Sequence, residues 1–205
     1  MPLPLGDPDS TAVVFIECQN GVFGEDAAIP ALQASLAGVV DRLVELAVAA
    51  RTSGVRVVHA TCEGAGPVPH TPAPLYRLIA SRSADWAPGH PATQVIDELA
   101  DPGDVILPRR RGLLPTHNTD LLPSLRAFGV RTVVFAGAST NIAVTGSTLE
   151  ATEEGFGVVI ARDAVHGTPQ EYSDAVIANT LGMLATLTDV ESLKAHWQAA
   201  AGVSG

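Results

Sequence analysis

The sequence predicts an α/β protein with an open, doubly wound, mainly parallel sheet in three layers. Three observations carry this. Short apolar runs of strand type alternate with longer stretches of helical period, the pattern that generates βαβ units. The short runs are almost continuously apolar, as strands covered on both faces must be. Glycines stand where the helical patterns end, at Gly54 and Gly129.

The elements follow in order. Residues 11–17 form the first buried strand. Residues 30–53 read as one amphipathic helix, because Leu32, Leu36, Val39, Val40, Leu43, Leu46 and Ala47 recur at helical spacing. Residues 55–61 give the second strand, and the Gly- and Pro-rich residues 62–74 a loop. The wider stretch 64–89 is the expected source of an active-site lid. A short third strand covers residues 104–107. Asn118 is expected to cap a helix running to about Phe128. A fourth strand covers 131–137, a helix 140–154, a fifth strand 156–161 and a helix 170–185, followed by a short last strand and helix. About five or six strands result, in doubly wound order.

Composition sets limits. A chain of 205 residues suits one domain spanning 1–205, and 46% hydrophobic residues supply a core. A net charge of −10 argues against nucleic acid and anionic membranes as partners and leaves a small-molecule ligand. No apolar run approaches the roughly 20 residues of a membrane span, and the first ten residues show no signal-peptide pattern. Cys18 and Cys62 have no CxxC spacing, so a reduced, cytoplasmic setting is expected. The six histidines form no metal-ligand pattern, and neither a P-loop nor G-x-G-x-x-G occurs. The expectation is no metal and no cofactor.

In such a sheet the strand C-termini converge on one edge, where ligands bind. Three of them carry candidates. Glu17 ends the first strand and reads either as a general acid or base or as a structural carboxylate paired with an arginine. Arg109, Arg110 and Arg111 follow the third strand, and at least one is expected to point into the cleft and clamp a carboxylate. Ser139, Thr140, Asn141 and Ile142 follow the fourth strand as a helix start, with Ala143 behind them. Such a start caps a helix and aims backbone N–H groups into the crevice. A Ser139-Asp163-His166 hydrolase is a remote alternative, since the G-x-S-x-G pattern is broken at Asn141. Cys18 reads as core, and Cys62 as a packing residue or a free thiol near the cleft.

Together these landmarks resemble the isochorismatase-like superfamily, the cysteine hydrolases of nicotinamidase and isochorismatase type, over residues 12–165. Ala12-Val13-Val14-Phe15-Ile16-Glu17-Cys18-Gln19-Asn20 resembles the family's first strand, which ends in Asp, one residue, then Gln-Asn. Pro102-Gly103-Asp104-Val105-Ile106 resembles its P-G-D strand. Thr119-Asp120-Leu121, Leu125-Arg126 and Gly129-Val130 resemble its next helix, and Gly137 to Val144 its nucleophile turn. Thr148-Leu149-Glu150-Ala151, Gly155-Phe156 and Asp163-Ala164 complete the series. The resemblance implies a Rossmann-like, three-layer fold, a homodimer or homotetramer, and a non-proline cis peptide near Ala138-Ser139.

The departures bear on the chemistry. The family's usual triad is Asp, Lys and Cys. This chain has Glu17 at the first position and Arg109 or Arg110 at the second, because counting from Asp104 and from Thr119 differs by one residue. Ala143 stands at the nucleophile position and cannot be acylated. What the resemblance leaves is the isochorismatase manner of cleavage, in which an acid protonates a vinyl ether and water attacks. Glu17 then serves as acid/base and an arginine holds an anionic substrate. The alternative is a catalytically inactive relative that binds a small molecule or serves structurally.

Overall fold

The computed structural model describes residues 5–36, 38–64 and 72–203. Its strands are β1 (Thr11–Ile16), β2 (Arg56–Ala60), β3 (Val105–Ile106), β4 (Thr132–Ala138), β5 (Gly157–His166) and β6 (Thr186–Thr188). Its helices are α1 (Asn20–Phe23), α2 (Pro30–Leu36), α3 (Val40–Thr52), α4 (Pro74–Arg82), α5 (Leu121–Ala127), α6 (Thr145–Glu153), α7 (Gln170–Val176), α8 (Gly182–Leu184) and α9 (Val190–Val203). The strands form one parallel sheet in the order β3-β2-β1-β4-β5-β6. The chain builds outward from β1 in one direction, then returns to β4 and builds in the other. The reversal lies between β1 and β4, where Ile16 pairs with Gly137. That is the switch point at which a crevice opens beyond the strand ends.

The central strands are apolar on both faces because each face carries its own core. Along β1, Val13 and Phe15 point to one layer with Leu43, Leu46 and Ala50 of α3 and Leu193 and Trp197 of α9. Ala12, Val14 and Ile16 point to the other, against Leu121, Leu122 and Leu125 of α5 and Ala151 of α6. The period of two along a strand thus distributes one apolar run between two helical layers.

Four boundaries differ from the sequence reading. The single helix expected over 30–53 is two, α2 and α3, on either side of Gly38, where Val39 N–H closes a turn onto Leu36 O at 3.0 Å. Glycine costs a helix interior about 1 kcal/mol, and the break falls there. The loop expected over 62–74 gives way to α4 already at Pro74, within the wider stretch 64–89; residues 65–71 lie outside the described residues. Asn118 does not cap α5: it has a left-handed φ of 52°, and Thr119 Oγ1 accepts from Leu121 N–H at 3.3 Å instead. Strand β5 runs on to His166, because its register against β4 shifts between Phe135 and Gly137 and lets pairing resume at Val165.

A buried polar cluster ties β2 to the β3 turn. Asp104 accepts from His59 Nε2 at 2.8 Å and from Arg51 Nη2 at 2.5 Å. His59 is 1% exposed and stacks on Phe15 with ring centroids 5.4 Å apart. Burial is the dominant influence on this imidazole and pushes its pKa below the ordinary value, although Asp104 pulls the other way. The folded state therefore binds fewer protons than the unfolded chain once pH falls below about 6.5. Stability is expected to be level above that pH and to decline as pH drops toward the lower native value. His166, also lowered by burial, adds to the decline. Urea midpoints at two pH values on either side of this window should differ less in His59→Gln than in the wild type; an equal difference would remove His59 from the account.

Candidate active site

The carboxyl ends of β1 and β2 and the segment after β3 continue side by side past the sheet. Glu17 N–H donates to Ala60 O at 3.0 Å, Arg109 N–H to Thr61 O at 2.9 Å, and Glu63 N–H to Arg109 O at 2.8 Å. Glu17 takes a left-handed φ of 55°, which ends the strand alternation and turns its side chain over the sheet edge. There its carboxylate accepts a hydrogen bond from Arg109 Nη2. The two side chains are 13% and 6% exposed, so the ion pair is largely withdrawn from water. Burial draws the Arg109 guanidinium down, and its neighbours, the Glu17 carboxylate foremost, together more than offset this, so it stays charged. Arg109 Nε donates to Gly112 O at 3.3 Å, while Nη1 is buried with no hydrogen-bond partner.

Glu17 and Arg109 line a pocket with Gly21, Val22, Ala28, Ile29, Leu32, Cys62, Ile79 and Trp86, whose volume is about 30 Å³. Arg110 points elsewhere: its side chain is 70% exposed and its Nε lies 2.7 Å from Glu63. Of the two arginines left open by residue counting, Arg109 is the one beside Glu17. Arg111 is exposed and lines a separate, smaller depression with Arg110.

The loop beyond β4 is placed differently from the expectation. The Ala138-Ser139 peptide is cis, as the family resemblance implies, and the difference lies in the turn that follows. The five residues Thr140–Val144 form a wide helical turn that leads into α6. Ser139 makes no side-chain cap, and its carbonyl accepts from Ile142 N–H at 3.3 Å and Val144 N–H at 3.0 Å. The Ile142 N–H is thereby used within the turn rather than left for a ligand. Thr140 and Asn141 crowd Gly167, where a Cβ would stand 3.3 Å from Thr140 Cβ and 3.0 Å from Asn141 Oδ1. Ala143 is 2% exposed and belongs to the apolar layer of Ile16, Ala60 and Leu121. Ser139, Thr140, Asn141, Ile142 and Ala143 are therefore absent from the lining of the Glu17 pocket. The turn packs toward β5, and its apolar residues are drawn into the core.

The Ser139-Asp163-His166 arrangement does not form. Asp163 Oδ1 accepts from Val190 N–H at 3.0 Å and caps α9, while His166 Nε2 is buried without a partner. Both lie within β5, not beyond it.

Three residues of the site escaped sequence reasoning. Gln19 is fully buried; its Oε1 accepts from Cys62 N–H at 2.5 Å and its Nε2 donates to Cys62 O and Ala92 O, each at 2.9 Å. This amide holds the ends of β1 and β2 and the loop before β3 in one register. The signal in the sequence is the match of Gln19-Asn20 to the family's Gln-Asn pair, to which the sequence reading attaches no role. Ile79 and Trp86 come from the Pro-rich stretch and form the outer wall of the pocket. Cys62 reaches the pocket as a free thiol, but burial pushes its pKa up to about 12, so it is not a ready nucleophile. Cys18 lies in the core, as expected, and burial raises its thiol further.

A parallel doubly wound sheet with a buried carboxylate–guanidinium pair at the carboxyl ends of its strands defines an α/β protein with a small-molecule site at the sheet edge. An isochorismatase domain matches residues 11–192, and the chain belongs to that family. It is 29% identical over 215 aligned residues to the ureidoacrylate amidohydrolase RutB of Methylorubrum extorquens, covering 92% of this chain and 83% of that protein. The RutB of Agrobacterium fabrum is 28% identical, with 89% of each chain covered. Among solved structures, a cysteine hydrolase from Pseudomonas syringae pv. phaseolicola superposes with a TM-score of 0.76 at 25% identity, covering 98% of this chain and all of that one. An isochorismatase family protein from Burkholderia thailandensis gives a TM-score of 0.77 at 23% identity over 96% of this chain and 99% of that one. Among the described residues no helix is long and apolar enough to cross a membrane.

Proposed function

We propose that this isochorismatase-like hydrolase acts on a small anionic molecule without a cysteine nucleophile. Glu17 is the acid/base and Arg109 the substrate clamp. One observation carries the reading: the Glu17–Arg109 pair lines one pocket, and Arg109, which spends Nη2 on Glu17 and Nε on Gly112, keeps at its buried Nη1 a further donor without a hydrogen-bond partner. A buried donor without an acceptor costs about 1–3 kcal/mol, and a ligand oxygen would recover it. Paired with a guanidinium, Glu17 is a hydrogen-bonded carboxylate, the form that takes a proton from an attacking water. For an amide or ureide the water oxygen bonds to the carbonyl carbon, and the protonated group gives its proton to the nitrogen as the C–N bond breaks. For a vinyl ether the proton goes to the terminal carbon, water oxygen bonds to the adjacent oxygen-bearing carbon and returns a proton to Glu17, and the hemiketal collapses with cleavage of the C–O bond.

The test is turnover of a panel of carboxylate-bearing amides, ureides and vinyl ethers, with ureidoacrylate included because of the relatives at 29% identity. Glu17→Gln is expected to lower kcat by roughly 10²–10⁴-fold with KM little changed, as for loss of an acid or base. Arg109→Lys is expected chiefly to raise KM, since lysine lacks the planar fork. Equal activity in Glu17→Gln would end the proposal.

A second reading is favoured by Ala143. Its methyl sits in an apolar layer where the family's nucleophile would stand, and Glu17 is already engaged by Arg109. A catalytically inactive member that binds a small molecule or serves structurally would look the same. Tight ligand binding with no turnover across the panel would establish it.

A further inference from the structure

We propose that Gln19 is a positioning residue for the Glu17–Arg109 pair. Its side-chain amide stands in for a missing strand on one edge of Cys62, and so sets where Arg109, on the other edge, meets Glu17. This rests on the reading of Glu17 and Arg109 as the working pair and names what aligns them. β1 pairs with β2 as far as Ile16 and Ala60. Glu17 N–H still reaches Ala60 O at 3.0 Å, but with its left-handed φ of 55° Glu17 turns the chain away. Gln19 N–H closes that turn onto Glu17 O at 2.8 Å. The line of β2 runs on without its neighbour. Along an extended segment the peptide groups of successive residues point to opposite edges. Arg109 N–H donates to Thr61 O at 2.9 Å and Glu63 N–H to Arg109 O at 2.8 Å, so Cys62 N–H and O point to the edge that β1 has left. Left unpaired, these two buried backbone groups would each carry a desolvation cost. The Gln19 amide takes both. Its Oε1 accepts from Cys62 N–H at 2.5 Å and its Nε2 donates to Cys62 O at 2.9 Å, as the peptide groups of a continuing strand would.

The contacts close a ring. Gln19 N–H holds Glu17 O, the Glu17 carboxylate holds Arg109 Nη2, the Arg109 backbone holds the two neighbours of Cys62, and Cys62 holds the Gln19 side chain. A further bond from Gln19 Nε2 to Ala92 O at 2.9 Å fixes the orientation of the amide itself. Gln19 is fully buried and does not line the pocket, so it acts through this ring and not by touching a ligand. The residue type follows from the two bonds. Glutamate lacks the donor for Cys62 O, and asparagine is a methylene short.

The experiment compares mutant cycles by urea unfolding of the whole chain. In the wild-type background, Glu17→Gln, Arg109→Met and their combination give the coupling between the two positions. The cycle is repeated in Gln19→Met, which keeps the length of the side chain and removes its hydrogen bonds, and in Asn20→Ala. Asn20 is the control, because its amide ties Pro91 O at 3.2 Å in the same neighbourhood without touching Cys62. The coupling is expected to fall to less than about half in Gln19→Met and to stay unchanged in Asn20→Ala. An unchanged coupling in a uniformly less stable Gln19→Met would make Gln19 a structural pin and overturn the proposal, leaving the pair intact. No coupling even in the wild type would remove the pair itself, and with it both the reading of the site and this inference. If Gln19→Met does not fold, amide hydrogen exchange of the wild type decides. The Cys62, Glu63 and Arg109 amides are expected to open as one unit, with protection factors within about threefold of one another. Arg109 and Glu63 exchanging more than about tenfold faster than Cys62 would overturn the proposal.

Discussion

Arg109→Met is expected to destabilise the protein by about 3–5 kcal/mol, because it strands the Glu17 carboxylate in a site largely closed to water. In a chain of 205 residues this corresponds to a fall in Tm of roughly 10 °C, at about 2–4 °C per kcal/mol. Glu17→Gln should cost less, because the neutral amide still accepts from Arg109 Nη2. The informative variant is the double replacement, Glu17→Gln with Arg109→Met. It leaves no buried charge, and it should recover a good part of what Arg109→Met loses, giving a coupling between the two positions of about 1–3 kcal/mol. Urea unfolding of the four proteins measures this. Single replacements costing under about 1 kcal/mol would show that the pair is solvated, and the pocket would lose its claim to a desolvated reaction centre.

Gly137→Ala should be still more damaging, at about 4 kcal/mol or more, or prevent folding. Gly137 pairs with Ile16 at the centre of the sheet and has a φ of +106°. An added Cβ would stand 2.3 Å from Ile16 O and 2.9 Å from Ile16 N, both backbone atoms that cannot turn aside. Relieving the contact means separating β1 from β4, the two strands that present Glu17 and the turn before Ala143. Gly155 is the control: its φ is +83° but nothing lies within 4 Å of the position a Cβ would take. Gly155→Ala should cost only the backbone term of about 1–2 kcal/mol. If the two substitutions prove equally mild, the close approach of β1 to β4 at Gly137 is wrong.

Much of the architecture was legible because it follows from local chemistry. Val13 to Ile16 and Val133 to Ala136 are apolar without interruption, residues 57–60 are interrupted only by the buried His59, and a strand with helices on both faces requires such runs. The family resemblance rested on short motifs at strand ends, and those ends lie where the sheet order places a crevice. Helix boundaries were less legible. Gly38 divides one hydrophobic pattern into two helices without disturbing its period, and the capping role passed from Asn118 to Thr119 through a single left-handed residue.

The candidate site divides in the same way. The sequence by itself determined the cast: a carboxylate at Glu17, arginines after the third strand, alanine at 143, and a net negative chain with an α/β fold. Which arginine meets Glu17 was undetermined, because Arg109 and Arg110 are adjacent and chemically alike; only the pairing of Arg109 with Thr61 and Cys62 across the strand ends turned one inward and left the other on Glu63. The pocket's apolar wall was equally hidden. Ile29 lies far in sequence from Ile79 and Trp86, which themselves sit within and beyond the end of α4, and they meet only because the sheet brings these segments to one edge. Periodicity reports which face of an element is buried, since burial repeats along a helix or strand; it is silent on which distant side chains share a cavity, because that depends on how the elements are packed together.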